Sequence, residues 1–163
     1  VFSRYEFLSV PDPHHNNREL LLEGYANRDS LKYRSVYGLD SIPTFYRGTL
    51  RKRGFCKAWS MFVALGLTAD DYTIENSENM TYREFLNSFL TWSAVDSVEL
   101  KTAYYLGVSM HSDEMNKLKW LGIFDDRKIG LKNATPAQIL EKILARKWKM
   151  RPEDKDMIIM LNS

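Results

Sequence analysis

The sequence predicts an α+β fold: a small mixed β-sheet made of N-terminal strands plus a C-terminal strand, with a mainly helical stretch between them. Three observations carry this. Apolar and polar residues alternate in short N-terminal segments, Phe2–Val10 and the stretch from Thr44, the signature of half-buried strands. From Phe55 onward the apolar spacing lengthens to about 3.6, the period of amphipathic helices. Near the end, Asp156-Met157-Ile158-Ile159-Met160-Leu161 is a short apolar run that reads as a strand returning to the sheet. Residues 1–55 and 151–163 are therefore assigned to the sheet-containing part and residues 56–150 to a helical subdomain.

Phe2 to Val10 is expected as the first strand, and Pro11 to Asn17 as a loop by its proline, histidine and asparagine content. The His14-His15 pair is not expected to bind metal, since adjacent side chains point apart and no cysteine or carboxylate cluster supplies further ligands. Leu20 to Tyr25 is the second strand. Ser30 to Tyr37 is a short helix ended by Gly38. From Thr44 a basic strand places Arg47, Thr49 and Arg51 on one face and Tyr46, Gly48 and Leu50 on the other. Gly54 breaks it.

Helices follow. Phe55, Trp59, Phe62 and Val63 mark one, closed by Gly66. Thr81 with Glu84 three residues on is a capping box, followed by Tyr82, Phe85, Leu86, Phe89 and Leu90 on one face. A third helix is expected from about Asp96 to Tyr105. Ser112, with acids in the first turn and lysines near the end, opens a fourth, whose apolar contacts are Met115, Leu118 and Leu121. Thr135-Pro136 with Gln138 opens the last. Its inner face should be Ile139, Leu140, Ile143, Leu144 and Trp148. The aromatic and methionine positions on these helices are read as core.

Composition bounds the function. The chain has 163 residues, 44% hydrophobic and 27% charged, values of a soluble globular protein. No apolar run approaches the ~20 residues that span a bilayer, so no membrane partner is expected. Cys56 is the single cysteine, so an internal disulfide is impossible and a reducing compartment, the cytoplasm, is expected. Its place on an apolar helix face favours packing over nucleophilic chemistry. The chain starts at Val1 and closes on a strand-like run, the expectation being a segment of a longer polypeptide.

Charge is uneven. Between Arg28 and Lys57 lie eight basic residues against two acids, whereas residues 58–130 hold eleven acids and six basic residues. Guanidinium forks match carboxylates two hydrogen bonds at a time, so this strand face is either an anion receiver or a solvated basic edge. Catalytic patterns are missing. The eight glycines never adopt G-x-G-x-x-G spacing, and no phosphate-loop lysine motif occurs. His111 stands alone. No residue of the chain is assigned a catalytic role.

The stretches Gly24-Tyr25-Ala26-Asn27-Arg28-Asp29-Ser30 and Tyr46-Arg47-Gly48-Thr49-Leu50-Arg51-Lys52-Arg53-Gly54-Phe55 resemble the glutamate-forming saccharopine dehydrogenase (saccharopine reductase) family. The family's N-R-D-S turn is followed about twenty residues later by R-G-T-L-R and a G-F/Y pair. A third stretch, Glu153-Asp154-Lys155-Asp156-Met157-Ile158, resembles its return to the sheet. The sequence departs at Ala26, where a proline is usual, and at Lys52, where an aromatic is usual. The resemblance implies a larger Rossmann-containing enzyme of lysine metabolism that reversibly reduces the imine of glutamate and aminoadipate semialdehyde. NADP or NAD would be bound by a domain not present in this chain, with no metal. This chain would supply the substrate-binding and dimerisation sheet plus the helical subdomain, and alone would be inactive. Carried over by motif, Arg28, Thr49, Leu50 and Arg51 are the expected substrate contacts: the arginines pair carboxylates, Thr49 offers its hydroxyl and Leu50 its backbone. The implied partners are a small molecule with several carboxylates (saccharopine, glutamate) and a second copy of the chain through the sheet.

Two other readings stand beside this one. Arg51-Lys52-Arg53 with nearby aromatics could serve a nucleic-acid-binding module, although a net charge of only +2 and an acidic helical part oppose it. The strands could also belong to a non-catalytic domain that pairs with a partner's sheet.

Overall fold

The computed structural model describes residues 6–11, 19–26, 31–45 and 47–154. The chain divides into two compact units, one running up to Ser60 and the other starting at Met61. The expected strand at Asp156–Leu161, the His14-His15 loop and Arg28 all lie outside the described residues.

The first unit carries a three-stranded sheet in the order β1-β2-β3, formed by β1 (Glu6–Pro11), β2 (Glu19–Ala26) and β3 (Gly48–Lys52). Both pairings are antiparallel: β1 meets β2 from Glu6 opposite Gly24 to Pro11 opposite Glu19, and β2 meets β3 from Leu22 opposite Lys52 to Ala26 opposite Gly48. Every described strand pair is antiparallel; the expected C-terminal strand, which was to complete a mixed sheet, lies outside the described residues. The basic strand is also shorter than expected. It begins at Gly48 rather than Thr44, because the pairing with β2 begins at Ala26.

Between β2 and β3 the expected helix shrinks to one turn, α1 (Tyr33–Val36). Arg34 explains how the chain turns back. Its Nη2 donates to the carbonyls of Asp40 and Ile42, each at 2.7 Å, while the Ser35 hydroxyl donates to the Asp40 carboxylate at 2.7 Å. Two residues of α1, Arg34 and Ser35, thus hold the loop that leads toward β3. Helix α2 (Phe55–Ala64) follows the Gly54 turn, where φ is +92°, a conformation that favours glycine.

The second unit is helical and holds nearly all of the buried apolar side chains among the described residues. It contains α3 (Tyr82–Asn87), α4 (Val98–Leu106), α5 (Asp113–Leu121) and α6 (Pro136–Trp148). Both expected capping boxes form: Thr81 with Glu84 on α3 and Thr135 with Gln138 on α6. Ser97 and Ser112 cap α4 and α5, and Gly107 and Gly122 end them in the left-handed conformation. Ser77, fully buried, donates to the Leu131 carbonyl at 2.7 Å and accepts from the Ala134 amide at 2.9 Å. Those bonds tie the loop before α3 to the loop before α6.

Some aromatic expectations fail. Tyr104 is 89% exposed, and Tyr105 and Trp120 are about half exposed; α4 buries the small residues Thr102 and Ala103 instead. Thr102 can be buried since its hydroxyl donates to the Val98 carbonyl at 2.7 Å. Trp148, expected on the inner face of α6, is 51% exposed. The buried stripe of α6 ends at Leu144, and every residue from Ala145 to Met150 faces solvent.

Candidate functional site

Strand pairing determines which side chains share a face. Residues directly opposite point the same way, so the face of β3 that carries Thr49 and Arg51 also carries Tyr25 and Glu23 of β2, with Phe7 of β1 opposite Glu23. This face looks toward the first turns of α2: Tyr25 stacks on Phe55 with centroids 6.3 Å apart, and Phe55 stacks on Trp59 at 5.6 Å. The Arg51 guanidinium lies 5.4 Å above the Phe55 ring, within cation–π range. Its Nη1 donates to the Leu50 carbonyl at 2.8 Å. No described carboxylate is paired with it.

Glu23 holds this arrangement in place. It is 1% exposed and its two carboxylate oxygens accept from the Gly54 amide at 2.6 Å and the Cys56 amide at 2.8 Å. A strand carboxylate therefore caps α2 from another element, satisfying amides that a helix start leaves open. Burial pushes the Glu23 carboxyl upward. The two amide bonds, the Cys56 thiol and the Arg53 charge together outweigh that effect and hold it below its ordinary value. Cys56 is itself fully buried, and burial followed by the Glu23 carboxylate pushes its thiol up to about 11. A thiol so placed stays protonated at neutral pH and is a poor nucleophile.

Of the four expected substrate contacts, three can be placed. Arg51 is exposed, and Thr49 and Leu50 are half-buried. Thr49 and Arg51 share a face, whereas Leu50 pairs with Gly24 on the opposite one, leaving its backbone as the part nearest Arg51. Arg28 lies outside the described residues. The basic triplet does not form one ridge, since alternation sends Lys52 to the face opposite Arg51. Arg53 is laid 5.6 Å over Phe7. Glu23 was not singled out from the sequence. The only local signal is an acid directly after the apolar run Leu20-Leu21-Leu22 in a strand, and its amide partners lie more than thirty residues away.

A dinucleotide phosphate does not fit here. The strand–turn–helix junction from β3 into α2 is where free amides would have to meet it. At that junction the Gly54 and Cys56 amides already donate to Glu23, and a second anion would be repelled. Among the described residues no group of three or more His, Cys, Asp or Glu is placed to hold a metal ion, and no helix is long and apolar enough to cross a membrane.

Comparison with known proteins agrees with the motif. Residues 4–163 match the family described as "Saccharopine dehydrogenase C-terminal domain". The chain belongs to that family. Alpha-aminoadipic semialdehyde synthase, mitochondrial, from Bos taurus is 37% identical over 148 residues, covering 88% of this chain and 16% of that protein. Saccharopine dehydrogenase (NADP(+), L-glutamate-forming) from Saccharomyces cerevisiae is 29% identical over 145 residues, covering 83% of this chain and 31% of that protein. The solved apo saccharopine dehydrogenase (L-Glu forming) from Saccharomyces cerevisiae shares the fold with a TM-score of 0.65 at 22% identity, over 89% of this chain and 32% of that one. The domain thus spans from about a sixth to a third of the length of these relatives.

Proposed function

We propose that this saccharopine dehydrogenase C-terminal domain supplies the substrate-binding part of an NAD(P)-dependent oxidoreductase of lysine metabolism, acting on saccharopine. What supports the reading is the Arg51 guanidinium, held 5.4 Å over the Phe55 ring beside Thr49 and unpaired with any described carboxylate. Guanidinium on an aromatic platform keeps its fork oriented, so little freedom is lost when a carboxylate arrives. Glu23 fixes the platform by setting the first turn of α2. In this reading Arg28 and Arg51 pair carboxylates, Thr49 donates its hydroxyl, and Leu50 contributes through its backbone. Residues 1–55 and 151–163 form the substrate-binding and dimerisation part, and residues 56–150 the helical subdomain.

NADP, named for the fungal relatives, would be held by a domain outside these residues. A homodimer through the sheet is part of the same reading. The mammalian relatives carry "mitochondrial" in their names, so the expected cytoplasmic location widens to a reducing compartment of either kind, compatible with the buried thiol of Cys56.

The test is Arg51→Ala in the complete enzyme. Saccharopine binding should weaken by about 1.5–3 kcal/mol, the loss of a charged hydrogen bond, while NADPH affinity holds. Unaltered kinetics with saccharopine would remove Arg51 from the site. Residues 1–163 alone should show no turnover in an absorbance assay at the nicotinamide band.

A further inference from the structure

A second guanidinium on the first unit has no described partner that explains its charge. Arg47 is half-buried, and its guanidinium sits 4.1 Å above the Tyr33 ring. Among the described residues, no hydrogen bond or ion pair engages it. The nearest described acid in sequence, Asp40, already accepts from the Ser35 hydroxyl. Partial burial of an unpaired charge is costly, and a ring face offsets only part of that cost. The arrangement is nevertheless firmly built. Tyr33 stacks on Tyr37 at 5.9 Å, Tyr37 leans on Phe45 at 6.4 Å, and Arg34 clamps the intervening loop through two carbonyls. Lys32 adds a second cation 5.3 Å from the same ring.

The placement repeats that of Arg51. Each guanidinium lies on an aromatic ring, Arg47 on Tyr33 and Arg51 on Phe55. Arg47 immediately precedes β3, and strand alternation carries the Thr49–Arg51 face back to it. Four residues of chain put the two α-carbons no more than about 14 Å apart. Because the rings belong to different elements, the two forks are held as separate receivers and do not crowd onto one anion.

We propose that Arg47 is a further substrate-binding residue, receiving a different carboxylate from the one Arg51 takes. This rests on the substrate-binding reading of the Thr49–Arg51 face. It assigns this strand a ligand with anionic groups at two separated positions, so a monocarboxylate satisfies only half of the site.

The experiment uses the complete enzyme, with Arg47→Met, Arg47→Lys and Arg51→Ala. Each is assayed with saccharopine and with analogues in which one carboxylate at a time is converted to the amide. Arg47→Met should raise KM for saccharopine about ten- to a hundred-fold, the range of a lost charge-assisted bond. Arg47→Lys keeps a cation over Tyr33 but not the fork, and should recover part of the loss. For one amide analogue the Arg47 variants and the wild type should have the same KM, and that analogue should differ from the one that silences Arg51→Ala. Equal losses by Arg47→Met on saccharopine and on every analogue would overturn the proposal, leaving Arg47 as packing for α1. An unchanged KM in both Arg47 variants would overturn it too. Should Arg47→Met fail to fold, the analogue profile of Arg47→Lys decides in the same way. If Arg51→Ala also leaves every KM unchanged, the underlying reading of the face fails with it; if only Arg47 is silent, that reading survives.

Discussion

The two units differ in what stabilises them. In the helical unit, Phe85, Leu86, Met115, Leu118, Ile123, Ile129, Ile139 and Ile143 are almost wholly removed from water, and serine or threonine caps open its four main helices. In the sheet unit the described core is Leu22 and Cys56, and its centre is a carboxylate. Order there comes from Glu23 on the α2 amides, from Arg34 on a loop, and from cations over rings. The contrast teaches that the basic face of the sheet unit is organised by directional polar contacts. The helical unit is organised by area removed from water. Polar contacts fix geometry and leave donors exposed, which is what an anion site needs.

The largest effect should come from breaking the apolar side of this contrast. Phe85 is fully buried and meets Phe89 edge-on at 5.2 Å. Phe85→Ala should cost about 3–5 kcal/mol, combining lost transfer energy with a residual cavity. Urea denaturation measures it, and amide exchange should accelerate chiefly across residues 61–144. A loss below about 1 kcal/mol would mean the helical unit does not depend on its core in the manner described.

The next effect tests the polar side. Glu23→Gln keeps the shape, yet an amide nitrogen replaces one acceptor and faces a backbone N–H. The variant should lose about 1.5–3 kcal/mol, the range for hydrogen bonds to a charged group. Faster exchange should be confined to residues 19–26 and 48–58. The pH dependence has a definite sign. Because the folded Glu23 carboxyl is held below its ordinary value, its contribution is full above the unfolded value of about 4.3. It disappears as pH falls through the folded value. The gap between wild type and variant should therefore be constant from neutral pH to about pH 5 and shrink on further acidification. A gap that widens on acidification would contradict the assignment of a charged, hydrogen-bonded Glu23.

Legibility followed the same division. Helix boundaries were readable because their causes are local: Thr81 with Glu84, Thr135 with Gln138, and Gly107 and Gly122 just past their helices act within one turn. Strand β3 was readable from alternation and β2 from its apolar run Leu20-Leu21-Leu22. What could not be read was which polar residue reaches which distant backbone. Glu23 looks like an out-of-place acid until the β3–α2 turn folds over it. Arg47 and Arg51 could be placed on one face, but not on their separate rings. Spacing alone also overcounted the core. Tyr104 and Trp148 fit a helical stripe, but nothing in the pattern says where a neighbouring element stops covering it.

The smallest effect asks whether the local devices of the helical unit matter beside its core. Thr81 Oγ1 accepts from the Glu84 amide at 3.0 Å, and the Glu84 carboxylate returns to the Thr81 amide at 2.7 Å. Thr81→Ala removes the first bond and leaves the second, because the Thr81 backbone is unchanged. The isolated bridge between Thr81 and Lys128 is also a backbone feature and should survive. The expected loss is about 1 kcal/mol, the usual worth of a threonine cap. Thr81→Ser keeps an oxygen in the same position and should recover most of it. Thr135→Ala, in the matching box on α6, should cost a similar amount, and the two losses should add if the sites are independent. Should Thr81→Ala cost as much as Phe85→Ala, the first turn of α3 would be stabilising the core it packs against, and the distinction between directional and apolar order would not hold inside the helical unit.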